Sequence, residues 1–136
     1  VKLWSTNSTD KPEHILDFHD DKVISIETLK SEYQILTLSK DYSIRLFDLR
    51  KLDSVYKIDS KTIPYYCECP LSVSTDNKYF ATGSTKGDIY VFSTETGELE
   101  STIENKSKGI TTLQWRPYHS QIYVGDVNGI LTVWGV

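Results

Sequence analysis

Four short stretches of this chain close on an aromatic residue, and they recur at a nearly constant distance. They are VKLWS at 1–5, KDYSIRLFDLR at 40–50, GDIYVFS at 87–93 and NGILTVWG at 128–135. Aligned on Trp4, Phe47, Phe92 and Trp134, successive copies lie 43, 45 and 42 residues apart. One and three positions before the aromatic every copy is aliphatic: Leu3 and Val1, Leu46 and Ile44, Val91 and Ile89, Val133 and Leu131. Alternation of period two puts the aliphatic pair on one face of a strand and the aromatic on the other. Both faces then need packing partners. A strand covered on two sides at a fixed interval implies stacked sheets, each hidden by the next.

The remainder of each interval accommodates four short strands. The first interval holds HILDF (14–18), VISIE (23–27), YQILTL (33–38) and SIRLFDL (43–49). The second holds SVYKI (54–58), YYCECPLSV (65–73), YFATG (79–83) and DIYVFS (88–93). The third holds ELESTI (98–103), ITTLQW (110–115), QIYVG (121–125) and ILTVW (130–134). Turn-forming stretches separate many of them, among them STDNK at 74–78, STKGD at 84–88, TETGE at 94–98 and DVNG at 126–129. Nine Tyr, seven Gly and no Met point the same way, and no segment carries helical periodicity. The predicted class is all-β.

Composition narrows the function. With 38 % hydrophobic and 25 % charged residues the chain is globular rather than disordered. A net charge of −4, with both signs mixed along the sequence, argues against a dedicated nucleic-acid or anionic-membrane surface. No apolar run reaches the roughly 18 residues of a membrane span, and the start at Val1 shows no signal-peptide pattern. Cys67 and Cys69 sit too close for a comfortable disulfide and match no zinc spacing. Two free thiols suit a reducing compartment, so an intracellular location, cytoplasmic or nuclear, is expected. His14 and His119 have no carboxylate or cysteine at ligand spacing, and GSTKGD is followed by no helix start that would cradle a phosphate. No cofactor or metal is expected.

The repeat resembles the WD40 family, whose β-propeller blades recur at roughly 40–45 residues. The resemblance covers nearly the whole chain and is strongest over residues 18–49, FHDDKVISIETLKSEYQILTLSKDYSIRLFDL. It implies one propeller domain over 1–136, a partial ring of three four-stranded blades plus one orphan strand. Residues 1–5 would be the third strand of a preceding blade, and 14–49, 54–93 and 98–134 successive repeats. A propeller needs about four blades at least. Both ends are therefore expected to be seams, with the missing blades supplied by the same longer polypeptide or by a partner subunit. The expected placement is toward the C-terminal end of such a polypeptide.

The resemblance also assigns roles. His19, Ser39, Asp41 and the aromatic–aspartate pair Phe47–Asp48 occupy the family's positions. They imply a buried hydrogen-bond chain in which Asp41 meets one imidazole nitrogen and Ser39 the other. The chain would stop at Ser39, because Phe47 lacks the N–H of the usual tryptophan. A Ser, a His and an Asp are also the parts of a hydrolase, but no oxyanion site or substrate access accompanies them, so no enzyme is expected. The later repeats depart from the pattern. Lys86 stands where the turn aspartate belongs, and Asp126 and Asn128 replace the serine and aspartate, while Trp134 is kept.

A rigid ring with variable rim loops suits protein recognition, so the expected function is that of a non-catalytic scaffold in a multiprotein complex. Candidate contacts on the rim are Lys40, Tyr42, Lys61, Tyr65 and Lys86, with Asn128 beside them, and the 59–70 connection is the most idiosyncratic segment. FDLR at 47–50 is similar to the W-D-x-R box of substrate receptors for cullin-type ubiquitin ligases, which makes Arg50 the candidate adaptor contact of an alternative reading. DYSIRLFDLR and DNKYFATGSTKGDIYVFSTETGELE also resemble autophagy-16-type scaffold propellers.

Overall fold

The computed structural model describes residues 1–7, 10–59, 69–105 and 108–135. Among these, every regular element is a β-strand, and all pairings are antiparallel. The first sheet joins β1 (Lys2–Leu3) to β2 (His14–Ile15). The second is β3 (Val23–Thr28), β4 (Gln34–Ser39), β5 (Ser43–Asp48) and β6 (Asp53–Asp59), in that order. The third runs β7 (Ser72–Val73), β8 (Tyr79–Gly83), β9 (Ile89–Ser93) and β10 (Leu99–Ile103), and the fourth β11 (Ile110–Trp115), β12 (Gln121–Asp126) and β13 (Leu131–Gly135).

The hydrogen bonds group the strands one step differently from the intervals. An interval counted from aromatic to aromatic begins after the third strand of a sheet, so it takes in the outer strand of that sheet. β2 accordingly bonds back to β1, with Lys2 opposite Ile15, and the strand at 1–5 has a partner in the structure. By the same step β6 completes the second sheet and β10 the third. HILDF shortens to two strand residues, and YYCECPLSV to Ser72–Val73, with residues 60–68 outside the described ones.

The alternation at each third strand organises the packing. Phe47 lies in a cluster with Val1, Leu16 and Ile35, facing the first sheet. Its neighbours Ile44 and Leu46 point the other way, into a cluster with Phe80, Tyr90 and Phe92 of the third sheet. Ile89 and Val91 then face Leu113, Ile122, Val124 and Trp134 of the fourth. The aromatic of one sheet therefore covers the aliphatic pair of the sheet before it. Each fully buried side chain of this kind stabilises the stack by about 1.5–3 kcal/mol. At β13 the aliphatic pair is open instead, with Leu131 70 % and Val133 52 % exposed.

Buried hydroxyls tie sheet to sheet beneath these clusters. Ser25 Oγ on β3 accepts from the Leu71 amide at 3.2 Å, and Ser72 Oγ on β7 accepts from the Trp115 amide at 2.8 Å. Farther out, the Tyr56 hydroxyl donates to the Thr94 carbonyl at 2.9 Å. These bonds satisfy polar groups that would otherwise be stranded between apolar layers.

Candidate functional site

The β4–β5 turn, residues 40–42, is built by its own side chains. Asp41 Oδ1 accepts from the Ser43 amide at 2.9 Å and from the Ser43 hydroxyl at 2.7 Å, closing a local loop. Tyr42 takes a left-handed backbone with φ of 63° and stands 55 % exposed at the tip. Ser39 Oγ accepts from the Asp41 amide at 3.2 Å and donates to the Asp21 carbonyl at 3.0 Å.

His19 reaches this turn from the segment that enters β3. Asp41 Oδ2 lies 2.8 Å from its Nδ1 and accepts from the Asp20 amide at 3.1 Å. Burial pushes the Asp41 carboxyl up, but hydrogen bonds from Ser43, His19 and Asp20 outweigh it and hold the group at about 2. A carboxylate at Nδ1 assigns the ring proton there, which leaves Nε2 to accept. Its partner is the Thr37 hydroxyl at 2.7 Å.

That partner corrects the expectation for Ser39. On the alternating strand QILTLS, Thr37 and Ser39 share a face. Ser39 sits at the strand end, beside the irregularity between Val23 and Ser25, where Asp21 takes its hydroxyl. Thr37 lies one step deeper and meets the ring. Phe47 packs its own ring near the imidazole, edge-on with centroids 6.2 Å apart, and contributes no hydrogen bond there.

The side chains of His19 and Asp41 are 5 % and 9 % exposed, and both imidazole nitrogens are occupied within the fold. The Ser39 hydroxyl is directed at a backbone carbonyl rather than at the ring. Among the described residues no group of three His, Cys, Asp or Glu is placed to hold a metal, and no helix is long and apolar enough to cross a membrane.

Equivalent turns in the next two sheets keep the geometry with other side chains. In 84–88, Ser84 Oγ accepts from the Asp88 amide at 3.0 Å, and Lys86 occupies the place of Asp41. In 126–130, Asp126 Oδ1 accepts from the amides of Asn128 and Ile130, each at 2.9 Å. Three turns thus align on one rim. They present half-buried Lys40, exposed Tyr42, exposed Lys86 and exposed Asn128. Lys61 and Tyr65 fall outside the described residues.

Arg50 lies toward the other rim. Its guanidinium forks onto Asp48, with Nε to Oδ1 at 3.1 Å and NH2 to Oδ2 at 2.7 Å, and stacks 3.7 Å from the centre of the Tyr33 ring. The bond from Arg50 holds the Asp48 carboxyl at about 2. The Arg50 side chain remains 58 % exposed.

No family model matches the chain. It is 22 % identical over 142 residues to Protein tipD of Dictyostelium discoideum, and 22 % over 138 residues to Autophagic-related protein 16.2 of Caenorhabditis elegans. It is 20 % identical over 177 residues to the DDB1- and CUL4-associated factor 11 homolog of Caenorhabditis elegans. Each alignment covers 98 % of this chain, which spans only 23 %, 26 % and 31 % of those relatives. Among solved structures, the WD40 repeats of RRP9 superpose with a TM-score of 0.82 at 20 % identity, over 90 % of this chain and 38 % of that one. The β-propeller domain of Cps50 (Swd1) from Myceliophteria thermophila gives 0.74 at 16 %, over 84 % and 40 %. Stacked antiparallel sheets, interlocked aromatics and these superpositions together establish the fold: the chain folds as successive blades of a WD40-type β-propeller.

Proposed function

We infer that the chain serves as a non-catalytic scaffold for protein–protein contacts within a larger assembly. One observation carries this reading: Tyr42, Lys86 and Asn128 stand exposed on corresponding turns of successive sheets, each turn held by part-buried hydrogen bonds. Rigid turns lower the ordering cost of binding, and an exposed tyrosine supplies much contact area with few rotatable bonds. The polar cluster of His19, Thr37 and Asp41 serves the turn rather than a substrate. The test is affinity purification of the intact protein carrying Tyr42→Asn together with Lys86→Glu. Loss of co-purifying proteins, with thermal melting unchanged, is the expected result, and an identical set of proteins contradicts it.

A second reading is favoured by Arg50, half-exposed and oriented by Asp48 and Tyr33. An arginine pre-set in this way suits a receptor subunit of a cullin-type ubiquitin ligase, and one relative at 20 % identity bears a name of that kind. On this reading Arg50→Ala abolishes co-purification of the ligase adaptor. Retention of the adaptor by the variant rules it out.

A further inference from the structure

The rim opposite Tyr42 carries a groove that no motif in the sequence marks. It has a volume of about 530 Å³ and opens between the third and fourth sheets. Its floor is apolar, made by the buried side chains of Val91 and Trp115. Tyr79 and Tyr118 form walls from the start of β8 and from the β11–β12 turn. Tyr118 stands 92 % exposed on a left-handed backbone with φ of 63°.

The charge on this groove is acidic. Glu100 on β10 and Asp76 on the β7–β8 turn line it, and exposed Glu95 and Glu98 lead into β10. Basic side chains nearby already have partners. Arg116 donates to Gln121 Oε1 at 2.6 Å, Lys30 donates to the Thr75 carbonyl, and Lys78 lies 3.9 Å from Asp76. Hydrogen bonds from Ser74 and the Lys78 amide keep the Asp76 carboxyl below its usual range, so it stays charged. Glu100 has no salt-bridge partner among the described residues.

We propose that this groove docks an extended peptide carrying a lysine or arginine, its cationic head at Glu100 and its stem across Tyr79 and Tyr118. Carboxylates and the faces of aromatic rings both attract a cation, and a long aliphatic stem covers apolar floor while its head stays wet. A volume of this size accommodates a side chain with part of its backbone. On the same rim a smaller cleft of about 280 Å³, lined by Val55, Asn77 and Glu95, lies between the second and third sheets and can take flanking residues. The inference rests on the scaffold reading, but uses the rim away from Tyr42 and Lys86.

The test is fluorescence anisotropy on the intact protein with a labelled hexapeptide of alternating lysine and serine, against its glutamate-for-lysine counterpart. The lysine peptide is expected to bind at least about tenfold more tightly. Glu100→Gln and Tyr118→Asn are each expected to weaken it by about three- to tenfold, since both positions are exposed and asparagine tolerates the left-handed backbone. Equal binding of the two peptides, or undiminished binding in both variants, overturns the proposal. So does self-association of the protein that disappears in Glu100→Gln, which gives the groove to a second copy. Should Tyr42→Asn with Lys86→Glu leave the co-purifying proteins unchanged while the lysine peptide still binds, the rim reading fails and the groove stands.

Discussion

The Thr37 hydroxyl meets His19 Nε2 at 2.7 Å, and this bond completes the chain that Asp41 begins at Nδ1. Thr37 is fully buried, so its replacement leaves an imidazole nitrogen without a partner in an apolar layer. Thr37→Val keeps the shape and removes the donor. It is expected to destabilise the fold by about 1–3 kcal/mol, whereas Thr37→Ser costs less because it retains the hydroxyl. Thermal melting of the two variants checks this, and equal melting points for both would remove the bond from the account.

Asp41 makes stability depend on acid. Its folded pKa of about 2 lies below the 3.8 of an unperturbed aspartate, so the unfolded chain binds the proton more readily between those values. The contribution is complete above about pH 5 and is lost as pH falls toward ~2. Asp48, held low by Arg50, adds to the same window. Urea unfolding at pH 5 and pH 3 is expected to show a smaller fall for Asp41→Asn than for the parent protein. An equal fall excludes Asp41 as a source.

How much of this was legible in the sequence follows from what periodicity encodes. Alternation within a strand separates Ile44 and Leu46 from Phe47, and the interval between copies requires that both sides be covered. The packing of Phe92 on one and Val1 on the other is the direct outcome. Alternation does not say which of two residues on one face lies deeper. It therefore does not separate Thr37 from Ser39, and only the fold shows that Thr37 meets His19. Nor does it report which neighbour an outer strand bonds to: counting by interval groups β2 forward, whereas its hydrogen bonds run back to β1. The groove was invisible for a similar reason: Asp76, Glu100 and Tyr118 lie on separate elements, with no spacing to connect them.

Ser72 joins two sheets with a single oxygen. Its hydroxyl accepts from the Trp115 amide at 2.8 Å and from Gln114 Nε2 at 3.2 Å, and the residue is 1 % exposed. Ser72→Ala leaves a buried backbone amide unpaired, a cost of about 1–3 kcal/mol. Hydrogen exchange is the sharper measure, since the Trp115 amide is expected to lose protection more than amides in β4 or β5. Uniform loss across the sheets would mean that the bond acts globally rather than at the joint.

Gly83 lies where the third sheet packs closely on the fourth. A Cβ built there would stand 2.5 Å from Ile110 Cβ and 2.6 Å from its Cγ2, with Cys69 Sγ at 3.1 Å. The obstacle is the branch of a buried isoleucine at the start of β11, not the free end of a flexible chain. Gly83→Ala therefore has to push the sheets apart or distort β8, an overpacking cost of about 1–3 kcal/mol. Ile110→Gly alone removes both obstructing atoms but opens a cavity and also destabilises, so the decisive measurement is the double variant. If the clash is the cause, Gly83→Ala costs less when Ile110 is already glycine, and the two effects on unfolding free energy fall short of additive. Strict additivity would exclude the contact with Ile110 as the cause.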